Sequence, residues 1–181
     1  MKIAILTTGG TIEKTYDESH GTLANVGSVL QNILSRLRYR HLTIRHIPVM
    51  SKDSRDMTDR DRETILSAAR AALPHNEALV IIHGTDTLTE TGQYLHTQLP
   101  DLDRPIVLTG AMRPYEFRDT DAVQNVTEAL LACGLLEPGV WVVMHNRALR
   151  FPGVVKDGAQ LTFIRPGEPG ETEGATPAGP V

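Results

Sequence analysis

The sequence predicts an α/β fold: a doubly wound, mostly parallel sheet with helices on both faces, built as a single domain. Three observations predict it. Short apolar runs rich in Val and Ile alternate with longer stretches of helical periodicity. Several of those runs end in clusters of Gly, Thr and Asp, which is where an open parallel sheet binds ligands. The length of 181 residues suits one domain.

Five runs read as strands. Ile3 to Leu6 ends in Thr-Thr-Gly-Gly, and Leu42 to Val49 is a second run with weaker alternation. Ala78 to Ile82 ends in His-Gly-Thr-Asp, Pro105 to Leu108 in Thr-Gly-Ala-Met, and Val140 to Met144 in His-Asn. Runs this short and this apolar, bounded by turn residues, are expected to be buried on both faces.

Four segments read as helices. Val26 to Arg38 sets Val26, Val29, Leu30, Ile33, Leu34 and Leu37 on one face. Thr58 to Leu73 opens on a capping-box variant, Thr58-Asp-Arg-Asp61, and turns Ile65, Leu66, Ala69 and Leu73 inward. Thr87 to Leu99 and Asp121 to Leu131 follow, with Gly134 as a C-terminal stop for the last. After Arg150 the texture changes. Phe151 to Ile164 suggests short strands joined by a turn at Asp157-Gly158, which closes a domain of residues 1–164. The segment 165–181 is rich in Gly, Pro, Glu and Thr, and its composition predicts a disordered tail.

Composition excludes several classes of function. A net charge of -4 with mixed signs offers no basic face for nucleic acid and no cationic face for a membrane. One cysteine, Cys133, rules out an intrachain disulfide. Seven scattered histidines lack metal-ligand spacing, so no metal and no cofactor are expected. No run has the length of a membrane span, and the N-terminal run is too short for a signal peptide. A cytoplasmic location is the expectation.

The polar clusters carry the chemistry. Thr8-Gly9-Gly10-Thr11 allows close backbone approach and then presents a hydroxyl. By itself it also suits a tight strand-helix turn. It is neither a dinucleotide fingerprint nor a Walker loop, for lack of the third glycine or of Gly-Lys-Ser/Thr. His83-Gly84-Thr85-Asp86-Thr87 sets two hydroxyls around a carboxylate. Asp86 or Thr85 could simply cap the next helix, or the carboxylate could grip a ligand ammonium. His83 reads as a core histidine outside the site. Lys156, after two valines, could be a desolvated base or a surface lysine at a hairpin edge.

Taken together, Thr8-Gly-Gly-Thr-Ile12 and His83-Gly-Thr-Asp-Thr87 resemble the two-part signature of the bacterial-type L-asparaginase family. Ser54-Arg-Asp-Met57, Gly110-Ala-Met-Arg-Pro114, Asp121 with Asn125, Val142-Val-Met144 and then Lys156 follow in the family's order, and the resemblance covers residues 1–164. It implies hydrolysis of L-asparagine to L-aspartate and ammonia through a threonine acyl-enzyme. Thr11 matches the nucleophile. Tyr16 matches the tyrosine that polarises it, on a lid from about Thr11 to Ala24. Thr85, Asp86 and Lys156 match a second triad, with Thr85 the alternative attacker. Ser54 and Asp86 match the residues that hold the α-carboxylate and α-ammonium, and Ala111 the one whose carbonyl faces the amide. Gly10 and Arg55 complete the substrate-binding set.

Two departures stand out. Arg55 replaces the family's Gln or Ser beside the substrate ammonium, so it should point away or meet a carboxylate. The chain also stops before the family's second domain, reading as a short form. The resemblance implies a homo-oligomer, a dimer or a tetramer. Two other readings remain: the ammonia-releasing subunit of a tRNA-dependent amidotransferase, and a non-catalytic binding domain. The lack of a basic face weighs against the first, and two candidate nucleophiles with a lysine weigh against the second.

Overall fold

The computed structural model describes residues 1–25 and 27–167. The expected tail lies outside the described residues from 168 onward, as does Val26. The main sheet holds β1 (Lys2–Gly9), β4 (Thr43–Lys52), β5 (Ala78–Ile82), β6 (Pro105–Thr109), β7 (Gly139–Met144) and β8 (Arg147–Arg150). Its order is β4-β1-β5-β6-β7-β8. All neighbours are parallel except β7 and β8. The chain leaves β1 for one side of the sheet and returns to build the other, so the strand order switches between β1 and β5.

The apolar runs form these strands because both of their faces are covered. In β1, Ala4 and Leu6 join one core while Ile3 and Ile5 join the other, all fully buried. Burial of each Leu or Ile side chain stabilises the fold by about 1.5–3 kcal/mol. The first core packs under α2 (Asp59–Ala72) and α3 (Leu88–Gln98), through Ile65, Leu66, Ala69, Leu88 and Leu95. The second packs under α1 (Leu30–Leu34) and α4 (Ala122–Ala132), through Leu30, Ile33, Val126, Ala129 and Leu130. Thr58 caps α2 with the expected box, its side chain and that of Asp61 each bonding the other residue's backbone.

Four expectations need correction. β4 is not buried on both faces: it is an edge strand, bonded only to β1, and its residues alternate between half-buried and exposed. The helix expected over 26–38 has only five residues. Its buried face is as expected, but the Ser35 hydroxyl donates to Asn32 O and the chain turns away into an arginine-rich stretch. Gly134 follows α4 without a left-handed cap, the helix ending at Ala132 with Cys133 as its flanking residue. The sheet also gains β8, antiparallel, which the apolar pattern of the sequence does not single out.

The segment after Arg150 does pair as a hairpin, β9 (Val155–Asp157) with β10 (Thr162–Ile164). The turn begins at Asp157, whose carboxylate accepts from Ala159 N and Gln160 N at 2.8 and 3.0 Å. Phe163 pins the hairpin to the first core, and its partner in register is Lys156. A second hairpin, β2 (Thr15–Asp17) with β3 (Thr22–Ala24), follows β1. Among the described residues no helix is long and apolar enough to cross a membrane.

Candidate active site

The loops that end β1 and β5 meet at the switch point. Gly10 has φ +85°, a left-handed conformation that strains any residue with a side chain. A Cβ there would lie 2.3 Å from Gly84 Cα. A Cβ on Gly84 would in turn lie 2.5 Å from the Ser54 hydroxyl oxygen. Three segments thus touch, the loops after β1 and β5 and the turn Ser54–Asp56, because two of them lack side chains where they cross. Ser54 itself is buried. The Thr8 hydroxyl donates to Ile82 O at 2.9 Å, tying the ends of β1 and β5 directly.

Thr11 opens a short 3-10 turn with Ile12 and Glu13, and is half-buried beside the glycines. The turn is braced from below by Glu13, whose Oε2 accepts from Gly9 N at 2.9 Å. Burial pushes the Glu13 carboxyl up, against the bonds from Ser28 and Gly9 that pull it down.

The loop after β5 supplies no side-chain cap to α3. The residue flanking α3 is Thr87, and even its hydroxyl goes elsewhere, donating to Ser54 O at 2.8 Å. Among the described residues, neither Thr85 nor Asp86 caps α3 through its side chain. Instead Lys156 Nζ reaches both, donating to Thr85 Oγ1 at 3.0 Å and to Asp86 Oδ1 at 2.6 Å. Lys156 is half-buried, its side chain 22% exposed. Arg55 meets a carboxylate: its Nε donates to Asp86 Oδ2 at 2.5 Å. The bond from Lys156 holds the Asp86 carboxyl below its ordinary range, against partial burial and with help from Arg55.

His83 is a core residue, as expected. Its ring is fully buried, with Nδ1 on Gly84 O at 2.8 Å and Nε2 on the Thr91 hydroxyl at 2.9 Å. A carbonyl can only accept, so Nδ1 carries the proton and Nε2 accepts from Thr91. Burial lowers its pKa from 6.5 to about 4.

Ala111 is fully buried, and its peptide is fixed on both sides. Asn125 Nδ2 donates to Gly110 O at 3.0 Å, and Met112 N donates to the Asp121 carboxylate at 3.0 Å. Tyr16 is the residue the structure does not bring in. It is 57% exposed on the β2–β3 hairpin, its hydroxyl lies beside Gly21, and among the described residues no hydrogen bond joins it to Thr11.

Sequence reasoning missed two residues. Glu13 braces the Thr11 turn, and its signal was an acid inside an otherwise buried segment. His145 donates from Nε2 to Asp121 Oδ2 at 2.9 Å and meets Thr162 Oγ1 through Nδ1 at 3.3 Å. It therefore ties the Lys156 hairpin to the start of α4. Its position at the carboxyl end of β7 could have marked it.

A family model described as Asparaginase, N-terminal, matches residues 2–162. The chain belongs to that family. An L-asparaginase from Thermococcus kodakarensis is 30% identical over 149 residues, covering 82% of this chain and 45% of the relative. The solved thermostable L-asparaginase from the same organism superposes with a TM-score of 0.83 at 29% identity, covering 91% of this chain and 51% of that one. A glutamyl-tRNA(Gln) amidotransferase component from Pyrococcus furiosus is 32% identical over 147 residues, covering 80% of this chain and 33% of the relative. This asparaginase-family chain spans about half the length of the curated L-asparaginases it matches.

Proposed function

We propose that this chain hydrolyses the side-chain amide of L-asparagine, releasing L-aspartate and ammonia. The observation that carries the reading is Lys156 Nζ bonded to both Thr85 and Asp86, beside the Gly10–Gly84 crossing that presents Thr11. Neither a helix cap nor a plain turn needs that arrangement. The family and its relatives named L-asparaginase point to the same chemistry.

In this reading Thr11 Oγ attacks the amide carbon, a tetrahedral adduct forms, the C–N bond breaks, and ammonia leaves. Water then attacks the threonine ester and frees aspartate. Splitting the reaction into two easier steps is the reason to use a covalent nucleophile on a poor electrophile. Backbone N–H groups near Thr85 stabilise the oxyanion, a contribution of roughly 3–4 kcal/mol per donor in acyl transfer. Ser54 holds the substrate α-carboxylate, Asp86 receives the α-ammonium, and the Ala111 carbonyl faces the amide. Gly10 leaves room for the substrate. Tyr16 joins the site when the β2–β3 hairpin closes over the substrate, the gating that mobile loops supply. Self-association and a cytoplasmic location belong to the same reading.

Thr85 is the second candidate for the attack, favoured by its bond to Lys156 at 3.0 Å. Mass spectrometry of quenched reactions separates the two. An acyl adduct on the peptide holding Thr11, and inactivity of folded Thr11→Ala, support the first. An adduct on Thr85 that survives Thr11→Ala replaces it. The function itself is tested by ammonia release from L-asparagine by the purified chain. No release from a folded sample overturns it, and release only with a protein partner favours the amidotransferase reading.

A further inference from the structure

In the hydrolytic reading of the site, Asp86 is the carboxylate that receives the substrate ammonium. Both of its oxygens are already engaged, Oδ1 by Lys156 Nζ at 2.6 Å and Oδ2 by Arg55 Nε at 2.5 Å. Arg55, Asp86 and Lys156 together carry a net positive charge. An incoming ammonium therefore meets a carboxylate that two cations already hold. Arg55 adds more than charge. Its side chain is 76% exposed, and among the described residues neither terminal nitrogen has a hydrogen-bond partner. A planar guanidinium with its outer edge free matches a carboxylate through two parallel N–H···O bonds.

We propose that Arg55 is a specificity residue, and that the site takes monoamides of short dicarboxylic acids that lack the α-ammonium group. The proposal rests on the hydrolytic reading of the site. Succinamate, which is asparagine without its amino group, is the simplest such compound. The step balances as for asparagine. The threonine hydroxyl adds to the amide carbon, the C–N bond breaks, the nitrogen leaves as ammonia with the hydroxyl proton, and water converts the ester to succinate. The Arg55 fork is free to hold the substrate carboxylate, while no ammonium has to displace a cation from Asp86.

L-Asparagine is not shut out. The Arg55–Asp86 pair is exposed, and exposed pairs open at a cost of about fivefold or less in an equilibrium constant. Repulsion between the remaining guanidinium and the incoming ammonium adds to that. A solvated arginine with no role is the plain alternative, and it predicts that replacing Arg55 changes nothing.

The experiment measures ammonia release from succinamate and from L-asparagine, by the whole chain and by Arg55→Gln. The expected result is kcat/KM for succinamate at least equal to that for L-asparagine in the unaltered chain. In Arg55→Gln the succinamate-to-asparagine ratio should fall about tenfold, by loss of the carboxylate contact and relief of the repulsion. A strong preference for L-asparagine with the same ratio in Arg55→Gln overturns the inference and leaves the proposed function standing. Release from neither compound by folded protein overturns both.

Discussion

Gly10 and Gly84 cross backbone against backbone, so near that a Cβ on the first would lie 2.3 Å from the Cα of the second. This crossing holds the loops after β1 and β5 together and so sets Thr11 relative to Thr85. Gly10→Ala is expected to be costly for two reasons. The residue sits at φ +85° and ψ -178°, a region essentially reserved for glycine, where an L side chain costs about 1–3 kcal/mol. The methyl group also has no space, and overpacking costs about 1–3 kcal/mol more. Denaturant unfolding should show a loss within the sum of those terms, with activity lost even where the protein folds. An unchanged midpoint would mean that the loops do not cross as described.

Lys156 makes a different kind of prediction, because its bonds are few and its surroundings partly wet. Lys156→Met removes the donor to Thr85 and Asp86 but leaves Asp86 paired with Arg55. Stability should change by about 1 kcal/mol or less. Turnover should fall by about 10²–10⁴, the usual contribution of a positioned proton-transfer group. Thermal unfolding and ammonia release on the same preparation read the two effects separately. A variant that loses stability and keeps turnover would return Lys156 to a structural role.

Much of this was legible in the sequence, and the part that was not has physical causes. Ile3–Leu6, Ala78–Ile82 and Pro105–Leu108 declare themselves because strands covered on both faces need apolar residues at every position. Edge strands do not: β4 runs three residues past Val49, through Met50 and Ser51 to Lys52, because backbone pairing with β1 extends it without a buried face. α1 shows the converse, since a helical pattern of apolar residues says which face is buried and not where the hydrogen bonds stop. Thr85, Asp86 and Lys156 each stood out by their own chemistry, but only the family resemblance joined them into one triad. A separation of 71 residues between Thr85 and Lys156 leaves no local periodicity to read. Glu13 and His145 escaped because each acts through backbone or second partners, which composition does not encode.

Tyr16 tests whether the β2–β3 hairpin moves. Its ring is 57% exposed, so Tyr16→Phe removes only a hydroxyl in contact with solvent and the hairpin. Surface changes of this kind stay within about 0.5 kcal/mol of wild-type stability. If the hairpin closes and brings the phenol to Thr11, kcat should drop by about tenfold or more while the unfolding midpoint holds. Equal kcat in the two proteins would remove Tyr16 from the reaction.

His83 predicts how stability depends on pH. Burial lowers its pKa from 6.5 to about 4, partly offset by the bond to Gly84 O and reinforced by the charge of Arg62. The unfolded chain therefore takes up a proton as pH falls through 6.5, whereas the folded ring resists until about 4. Stability from this group is present above pH 6.5 and drains away between 6.5 and 4. The shift corresponds to about 3 kcal/mol across that window. Glu13 titrates in the opposite sense, because its raised pKa favours the folded state at low pH, and it is common to both proteins in the comparison. Denaturant unfolding of the unaltered chain and of His83→Gln, measured from pH 7.5 to 4, should give curves that converge toward low pH. His83→Gln would start less stable, having lost a ring that bonds Thr91 and Gly84 together, and would then lose less on acidification. Parallel curves would mean that the ring is reached by water and protonates in the folded protein, and the Thr91–His83–Gly84 arrangement would have to be abandoned.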